Sequence, residues 1–349
     1  IIQPMIDGIG EFGTSVILDA LRSFFTIPLQ LALVFLGWGV AGMVYGLTIG
    51  SLLTVPVSLY VLGIRPSIPT RKTLASLWSF AKFSIPNRFV GAAYGRIDIL
   101  LLGAIIGSGA SGQYQIAYQL VLPGAFLAMV MHSGLFAEVS SRVSKGEPAK
   151  QKVTSNISFA SIFAIPIFFG ALAMPEAIVV TIFGAEYRPA ATLLIGLSVY
   201  QILSTQTGQI SAIISGYDRP DLNLKITIAT LVVNLIFGVA LVHEMGIVGV
   251  VIATIIAEAA KYILLSHYTR QFVSYSIIPE PVRYQFLAGG VMFLAVEFFH
   301  QWLGVSSVID LFAIVGIGAI IYGLLLISLS EIFLVTARGI LIDAAERYL

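Results

Sequence analysis

The residues most able to do chemistry in this sequence are charged side chains inside long apolar stretches. The third such stretch carries Arg88, Arg96 and Asp98. On a helix that turns about 100° per residue, Arg88 shares a stripe with small residues, and Arg96 and Asp98 lie about 80° to either side. An ionisable residue inside a bilayer is costly and marks a functional site by default. Two interpretations stay open: the charges neutralise one another on a packing face, or they line a hydrated cavity.

The sixth apolar stretch carries polar side chains without charge. One arc of its helix collects amides and hydroxyls, at Gln201, Ser204, Thr205, Gln209, Ser211 and Ser215. Such a column is typical of hydrogen bonding between membrane helices. It also suits a passage for sugars, and both interpretations stay open.

Three further charged sites lie towards the ends of apolar stretches. Asp19 and Arg22 are spaced i,i+3, as are Glu258 and Lys261, while Lys225 is near the start of its stretch. Residues at this spacing are neighbours on a helix face. Long basic side chains near helix ends also snorkel to the interface, so a substrate role competes here with an interfacial one.

The composition around these residues indicates a membrane protein. Of 349 residues, 58% are hydrophobic and 11% are charged, with a mean hydropathy of +0.95, whereas about 25% charged residues are usual in soluble domains. This balance argues against nucleic-acid binding and against a cytosolic enzyme. Because the chain has no cysteine, disulfides, thiolate metal sites and cysteine nucleophiles are excluded.

Catalytic and metal-binding motifs are poor. The only G-x-G-x-x-G, at residues 107–112, follows a membrane stretch and no strand, so it is interpreted as a turn. The histidines are scattered over different stretches, and His132 is assigned to a bulk or interfacial position. The sequence therefore predicts no enzyme, no cofactor and no metal site.

Ten stretches are long enough, at roughly 20 apolar residues, to cross a hydrocarbon core of about 30 Å. They lack the period-2 alternation of a membrane barrel. We therefore predict an all-α polytopic membrane protein with transmembrane helices at 12–36, 38–62, 74–106, 112–140, 153–182, 189–215, 220–242, 247–268, 283–303 and 307–329.

Basic residues lie in every second connection, which is the distribution typical of cytoplasmic loops. The alternate connections contain one basic residue, Arg188. The pattern predicts a protein of the cytoplasmic membrane with a cytoplasmic C-terminus. The basic residues that carry the prediction are Arg65, Arg71, Lys72, Arg142, Lys145, Lys150, Lys152, Arg219, Arg270, Arg283, Arg338 and Arg347.

A short self-similarity indicates an internal duplication. Residues 33–50 align with 240–257, so that Gly39 and Gly42 lie over Gly246 and Gly249. An even number of helices separates the two hairpins, as in transporters built from parallel repeats. Symmetry then predicts four helices before residue 1 and about fourteen in all.

These helices would form two six-helix lobes and an extra C-terminal pair. The predicted parts are the end of the N-terminal lobe at 1–64, a cytoplasmic linker at 65–73, the C-terminal lobe at 74–268, the helix pair at 269–329 and an amphipathic cytoplasmic tail at 330–349.

Three stretches together resemble one family. Residues 95–120, GRIDILLLGAIIGSGASGQYQIAYQL, contain Asp-apolar-Gly, a short turn and Gly-x-Tyr-x-x-Ala; residues 183–203 and 215–254 add an Arg-Pro turn, an Asn in the next helix and a Gly-Ile-x-Gly hairpin. The chain resembles the polysaccharide flippases of the multidrug/oligosaccharidyl-lipid/polysaccharide exporter superfamily. The resemblance implies a flippase that carries a lipid-linked oligosaccharide across the cytoplasmic membrane by alternating access, for surface-polysaccharide biosynthesis.

The resemblance also implies roles for the polar residues. The polyprenyl phosphate or pyrophosphate would be held by Arg88 and Arg96, with Lys225, Lys261 and Arg22 as further candidates. The glycan passage would be lined by Gln201, Ser204, Thr205, Gln209, Gln113, Tyr114 and Gln119.

Three acidic residues, Asp98, Glu258 and Asp19, would couple transport to H⁺ or Na⁺ or would balance neighbouring charges. The expected partners are the lipid-linked glycan and membrane lipids, and no nucleic acid. Two alternatives stay open: a multidrug or small-cation exporter of the same superfamily, and a membrane subunit that does not transport.

Overall fold

The computed structural model of the chain describes residues 12–61, 70–148, 150–273, 276, 279–330 and 333–335. These residues are mostly helical and contain no strand, which confirms the all-α prediction. Most of the predicted linker and tail lies outside the described residues, as do the side chains of 12, 13, 15, 16, 76, 77, 79–88 and 150–152.

By its internal contacts the chain divides into two compact units, residues 1–81 and 82–349. The first contains an antiparallel hairpin of α1 (Phe12–Leu33) and α2 (Gly39–Val61), joined by the π-helical turn Val34–Trp38. Gly46 lets the two helices touch, because a Cβ there would lie 2.6 Å from the Gln30 Cα. The Gln30 amide nitrogen in turn donates to the Met43 carbonyl at 3.0 Å.

The boundary between the units falls inside α3 (Arg71–Tyr94), and the second unit contains the rest of that helix with the others. These are α4 (Ile97–Ile105), α5 (Ser108–Val121), α6 (Phe126–Ser144), α7 (Lys150–Ala160), α8 (Ala164–Ala173), α9 (Pro175–Phe183), α10 (Ala190–Gly216), α11 (Pro220–Met245), α12 (Ile247–Thr269), α13 (Glu280–Leu303) and α14 (Val308–Leu329).

Helix α10 is the centre of the second unit. It packs against α5, α6, α8 and α12. Leu194 and Leu197, near its start, belong to one apolar cluster, while Ile210 and Ile213, near its end, belong to another. The polar middle of α10 therefore lies between two apolar regions that hold the helix in place.

Several predicted spans are broken inside rather than continuous. The span predicted at 74–106 breaks at Gly95 and Arg96, between α3 and α4. A 3₁₀ turn at Leu122–Ala125 separates α5 from α6, and Pro175 begins α9. Proline has no N–H to donate and interrupts a helix, which accounts for the last two breaks but not for the first.

The two hairpins that the sequence relates have the same turn geometry. Gly39 has φ 50° and ψ −133°, and Gly246 has φ 61° and ψ −137°, a region that side chains rarely allow. Three residues later, Gly42 and Gly249 each press against the backbone of the preceding helix, and a Cβ on Gly249 would lie 2.1 Å from the Leu241 carbonyl oxygen. The structure thus repeats the local feature that the alignment detects, while the two-lobe arrangement stays a prediction.

Seven helical stretches in the described residues are long and apolar enough to cross a membrane. The first, of 45 residues, includes the turn between α1 and α2. The chain is therefore a multi-pass membrane protein, while the counts of ten helices present and fourteen in all stay predictions. The seven are Ile17–Val61, Ser108–Ser144, Val153–Ala173, Pro220–Met245, Ile247–Thr269, Glu280–Leu303 and Val308–Leu329.

Candidate substrate and coupling site

A positive charge, that of Arg96, lies at the break between α3 and α4. Helix α4 has nine residues, which at about 1.5 Å per residue puts the break about 14 Å from the turn that follows, roughly half of a 30 Å hydrocarbon core. Arg96 at this break is exposed and forms no ion pair with any described residue. Arg88 lies about two turns earlier on α3, and its side chain is outside the described set.

Asp98, two residues after Arg96, is buried and accepts hydrogen bonds from two neutral side chains. Its side chain is 9% exposed. The Tyr114 hydroxyl donates to Oδ2 at 2.8 Å, and the Asn234 amide donates to Oδ1 at 3.0 Å. No ion pair joins Asp98 to Arg96 among the described residues. The two charges therefore do not neutralise each other on this helix.

A small cavity adjoins Asp98. It has a volume of about 10 Å³ and is also lined by Tyr94, Tyr114, Asn234 and Thr254. That volume is about the minimum that holds one water molecule. The carboxylate, amide and hydroxyl oxygens around it are suitable ligands for a small hard cation.

A second buried carboxylate lies on the other side of the break. Glu258 is 1% exposed and accepts from the Tyr94 hydroxyl at 2.6 Å and from the Thr207 hydroxyl. Lys261 lies 4.0 Å from Glu258 and 4.3 Å from the centroid of the Tyr94 ring. Tyr94, at the end of α3, thus bonds to Glu258, while Asp98, at the start of α4, bonds to Tyr114 and Asn234. The two helices that flank the break are held by two different carboxylates.

A pocket of about 390 Å³ lies between α6 and α10, with both polar and apolar residues in its lining. Four of the predicted passage residues line it together: Gln201, Ser204, Thr205 and Gln209. Helix α6 adds His132 and Ser133 from the opposite wall. His132 was not among the predicted site residues, although it lies one turn after Met129 on the same face of α6.

The remaining candidate residues lie elsewhere. Lys225 is 75% exposed and 3.7 Å from Asp221, and Arg22 pairs with Asp19 at 2.8 Å within the first unit. Tyr114 belongs to the Asp98 cavity. Gln113 and Gln119 line neither that cavity nor the pocket between α6 and α10.

Buried amides also fasten the C-terminal helix pair to the rest of the second unit. The Gln285 amide nitrogen donates to the Ser158 carbonyl at 2.6 Å, and its oxygen accepts from the Ser161 hydroxyl at 2.9 Å. The Gln206 amide nitrogen donates to the same hydroxyl at 3.0 Å. These contacts satisfy backbone and side-chain groups where α7 gives way to α8.

Broken helices that hold charged residues near the membrane midplane are typical of secondary transporters. Residues 10–192 match the family described as "Polysaccharide biosynthesis protein", and the chain belongs to this family. The matched residues include the α3–α4 break, with Arg96 and Asp98, and Tyr114, whose hydroxyl donates to Asp98.

Two relatives from Haloferax volcanii are named as flippases, that is, as transporters rather than enzymes. The chain is 28% identical to the probable low-salt glycan biosynthesis flippase Agl15, over 82% of this chain and 61% of Agl15. It is 25% identical to the probable flippase AglR, over 90% of this chain and 67% of AglR. The chain thus spans about two thirds of the length of these relatives.

The fold is that of a solved flippase. The structure of the lipid II flippase MurJ in an inward closed conformation superposes with a TM-score of 0.71 at 15% identity, over 88% of this chain and 66% of MurJ. At this identity the likeness shows the fold alone.

Proposed function

We propose that the protein is a flippase that moves a lipid-linked oligosaccharide across the cytoplasmic membrane by alternating access, for surface-polysaccharide biosynthesis. The observation that carries the proposal is Arg96, an exposed cation about 14 Å from the turn that follows α4, which forms no ion pair with any described residue. A charge at this depth cannot face lipid without a large cost. A hydrated path for an anionic headgroup gives it a favourable environment.

Arg96 and Arg88 are the proposed ligands of the polyprenyl phosphate or pyrophosphate. A guanidinium offers forked donors that match phosphate oxygens. Lys261, Lys225 and Arg22 each have an acidic neighbour within 4.0 Å, so their charge is already balanced. We assign these three a lesser part in holding the substrate.

The second unit also offers surfaces for the other two parts of such a substrate. The pocket between α6 and α10 presents amides and hydroxyls suited to a glycan. A groove of about 500 Å³ with an apolar lining that includes Phe126, Phe163, Ile167, Met292 and Phe312 suits an isoprenoid chain. The sugar would thus contact amides and hydroxyls, the phosphate would contact arginine, and the hydrocarbon chain would contact apolar side chains.

Asp98 and Glu258 are the proposed coupling residues, with H⁺ or Na⁺ as the coupling ion. Both are buried, and they anchor the two sides of the α3–α4 break. A change in the ligation of either carboxylate would alter the hold on one of these helices. Asp19, which pairs with Arg22 in the first unit, is assigned to charge balance.

The proposed orientation follows the basic residues of alternate connections, with the C-terminus in the cytoplasm. The charge exposed at the break is positive, which favours an anionic substrate over the small cations of a multidrug exporter. Both described carboxylates near the break are covered by hydroxyl and amide donors.

The test is a flipping assay with the full-length protein in liposomes and a fluorescent polyprenyl phosphate that carries a short glycan. A charge-assisted hydrogen bond contributes about 1.5–3 kcal/mol, so we expect Arg88→Ala with Arg96→Ala to slow flipping about tenfold or more. Arg188→Ala, which removes a cation 61% exposed and 3.6 Å from Glu176, is the matched control. Wild-type rates in the double variant reject the phosphate site, and no flipping by the wild type rejects the proposed function.

A further inference from the structure

The polar groups of the pocket between α6 and α10 are neutral and incompletely paired. Among the residues that the structure describes, its lining contains no Asp, Glu, Lys or Arg. Gln209 is fully buried, its amide nitrogen donates to the Ala128 carbonyl at 2.8 Å, and its Oε1 has no hydrogen-bond partner. Gln201 is 3% exposed and bonds to no described residue. A buried acceptor without a donor is costly, so a ligand hydroxyl that reached Gln209 Oε1 would stabilise it.

Gly208 opens the floor of this pocket. It lies in the middle of α10, where glycine is less favourable than alanine by about 1 kcal/mol. Close packing does not explain the glycine, since a Cβ there would meet nothing within 4 Å. The missing side chain leaves the helix backbone bare beside the free volume.

A hydrogen bond holds the His132 ring beside Gly208. Its Nδ1 lies 2.9 Å from the Gly208 carbonyl oxygen, and because a carbonyl only accepts, Nδ1 carries the proton. Nε2 then has no partner among the described residues, and in a neutral ring it accepts a hydrogen bond. Ser133, next along α6, adds an exposed hydroxyl to the same wall.

These features select one kind of ligand. Among the described lining residues a phosphate would find no Lys or Arg and a cation no carboxylate, while a hydrocarbon chain would leave Gln209 Oε1 without a donor. The volume of about 390 Å³ is at the lower end of the range of about 300–1,000 Å³ for ligand sites. A single polyhydroxylated ring satisfies both the chemistry and the size.

We infer that this pocket is a binding site for one sugar ring of the transported glycan, with His132 and Gln209 as its hydrogen-bonding residues and Gly208 as the residue that makes room. The inference rests on the proposed flippase function and makes it more specific. The sugar and the phosphate bind at separate places: the sugar on the neutral α6–α10 wall, the phosphate at the cationic break.

The first test uses the natural absence of cysteine in the chain. Ser133→Cys gives a single thiol in the pocket, and Ser108→Cys gives an exposed thiol at the start of α5 as its control. The probes are the methyl glycosides of glucose, galactose, mannose and N-acetylglucosamine, each at about 100 mM, with inorganic phosphate as the anionic comparison. We expect at least one glycoside to slow thiol modification at residue 133 about threefold or more, as mass action gives for a Kd below ~50 mM.

The second test fills the pocket. Gly208→Leu should abolish that protection and should slow flipping of the glycosylated lipid about tenfold, while flipping of the sugar-free polyprenyl phosphate changes less than about twofold. Gly316→Leu in α14, where a Cβ would also meet nothing within 4 Å, is the matched control and should behave as the wild type in both assays.

Every outcome of these two tests either supports or overturns the inference. The inference is overturned if none of the four glycosides protects residue 133, if phosphate protects it instead, or if Gly208→Leu flips the glycosylated lipid at the wild-type rate. A wild-type protein that flips neither lipid rejects the proposed function, whereas glycoside protection in that same protein would still support a sugar site.

Discussion

Glu258 and Lys261 form a charge pair whose two ends are buried to different degrees, so that their removal should have unequal effects. The Glu258 side chain is 1% exposed and that of Lys261 is 18% exposed. Lys261→Met leaves a buried carboxylate with two hydroxyl donors and no cation. Breaking a buried pair by removing one partner costs about 3–5 kcal/mol. We expect the free energy of unfolding to fall by about 3 kcal/mol.

Glu258→Gln should be milder. The amide oxygen still accepts from Tyr94, and the Lys261 ammonium keeps its place 4.3 Å from the centroid of the Tyr94 ring. A cation over an aromatic ring gains about 0.5–2 kcal/mol. We therefore expect a loss of about 1 kcal/mol for this variant.

The double variant separates a real pair from two independent side chains. Opposite charges 4.0 Å apart attract by about 4 kcal/mol at an effective dielectric constant of 20, before desolvation is subtracted. Replacing a buried pair by neutral groups is often without cost, so Glu258→Gln with Lys261→Met should lose about 1 kcal/mol or less. Unfolding in an SDS titration, followed by tryptophan fluorescence, measures all three. A double variant that loses the sum of the two single losses would show that the charges are not coupled.

Three further substitutions probe the fold itself by the same titration. Gln285→Leu removes bonds of 2.6 and 2.9 Å that hold α13 and should cost about 1–2 kcal/mol; no loss would mean that the amide does not fasten the helix pair. Gly249→Ala places a Cβ 2.1 Å from the Leu241 carbonyl oxygen and should cost about 1–3 kcal/mol, whereas Gly290→Ala, with nothing within 4 Å, should be harmless. Ser307→Ala removes the N-cap of α14 and should cost about 1 kcal/mol, an expectation that an unchanged midpoint would contradict.

The charged residues of the third span could be identified from the sequence because a charged residue differs plainly from the apolar residues around it. The sequence also grouped Gln201, Ser204, Thr205 and Gln209, since helical periodicity alone puts them on one arc, and the structure places all four around one pocket. Both results depend on the spacing of residues within one helix. Local periodicity was therefore sufficient for this part of the candidate site.

The partners of these residues depend on contacts between distant helices, which no local pattern contains. Tyr94 and Glu258 are 164 positions apart, and Asn234 and Asp98 are 136 apart. The family resemblance implies a place for Tyr114 in the glycan passage, and the sequence gives no sign that its hydroxyl donates to Asp98. Each pairing is decided by how three or four helices pack.

Two local features also escaped prediction for physical reasons. The break at Gly95 and Arg96 contains no proline, and a glycine alone does not predict it, since Gly91 and Gly103 lie inside α3 and α4. His132 was a lone histidine, and its meaning depends on the Gly208 carbonyl of another helix.

The central claim, that Arg96 binds the phosphate of the transported lipid, is tested most directly by the flipping rates of Arg96→Lys and Arg96→Gln. Lysine keeps the charge and loses the forked donors, so the predicted order is wild type, then lysine, then glutamine, with glutamine slower than the wild type by about tenfold or more. An Arg96→Gln protein that flips the glycosylated lipid at the wild-type rate would contradict the claim.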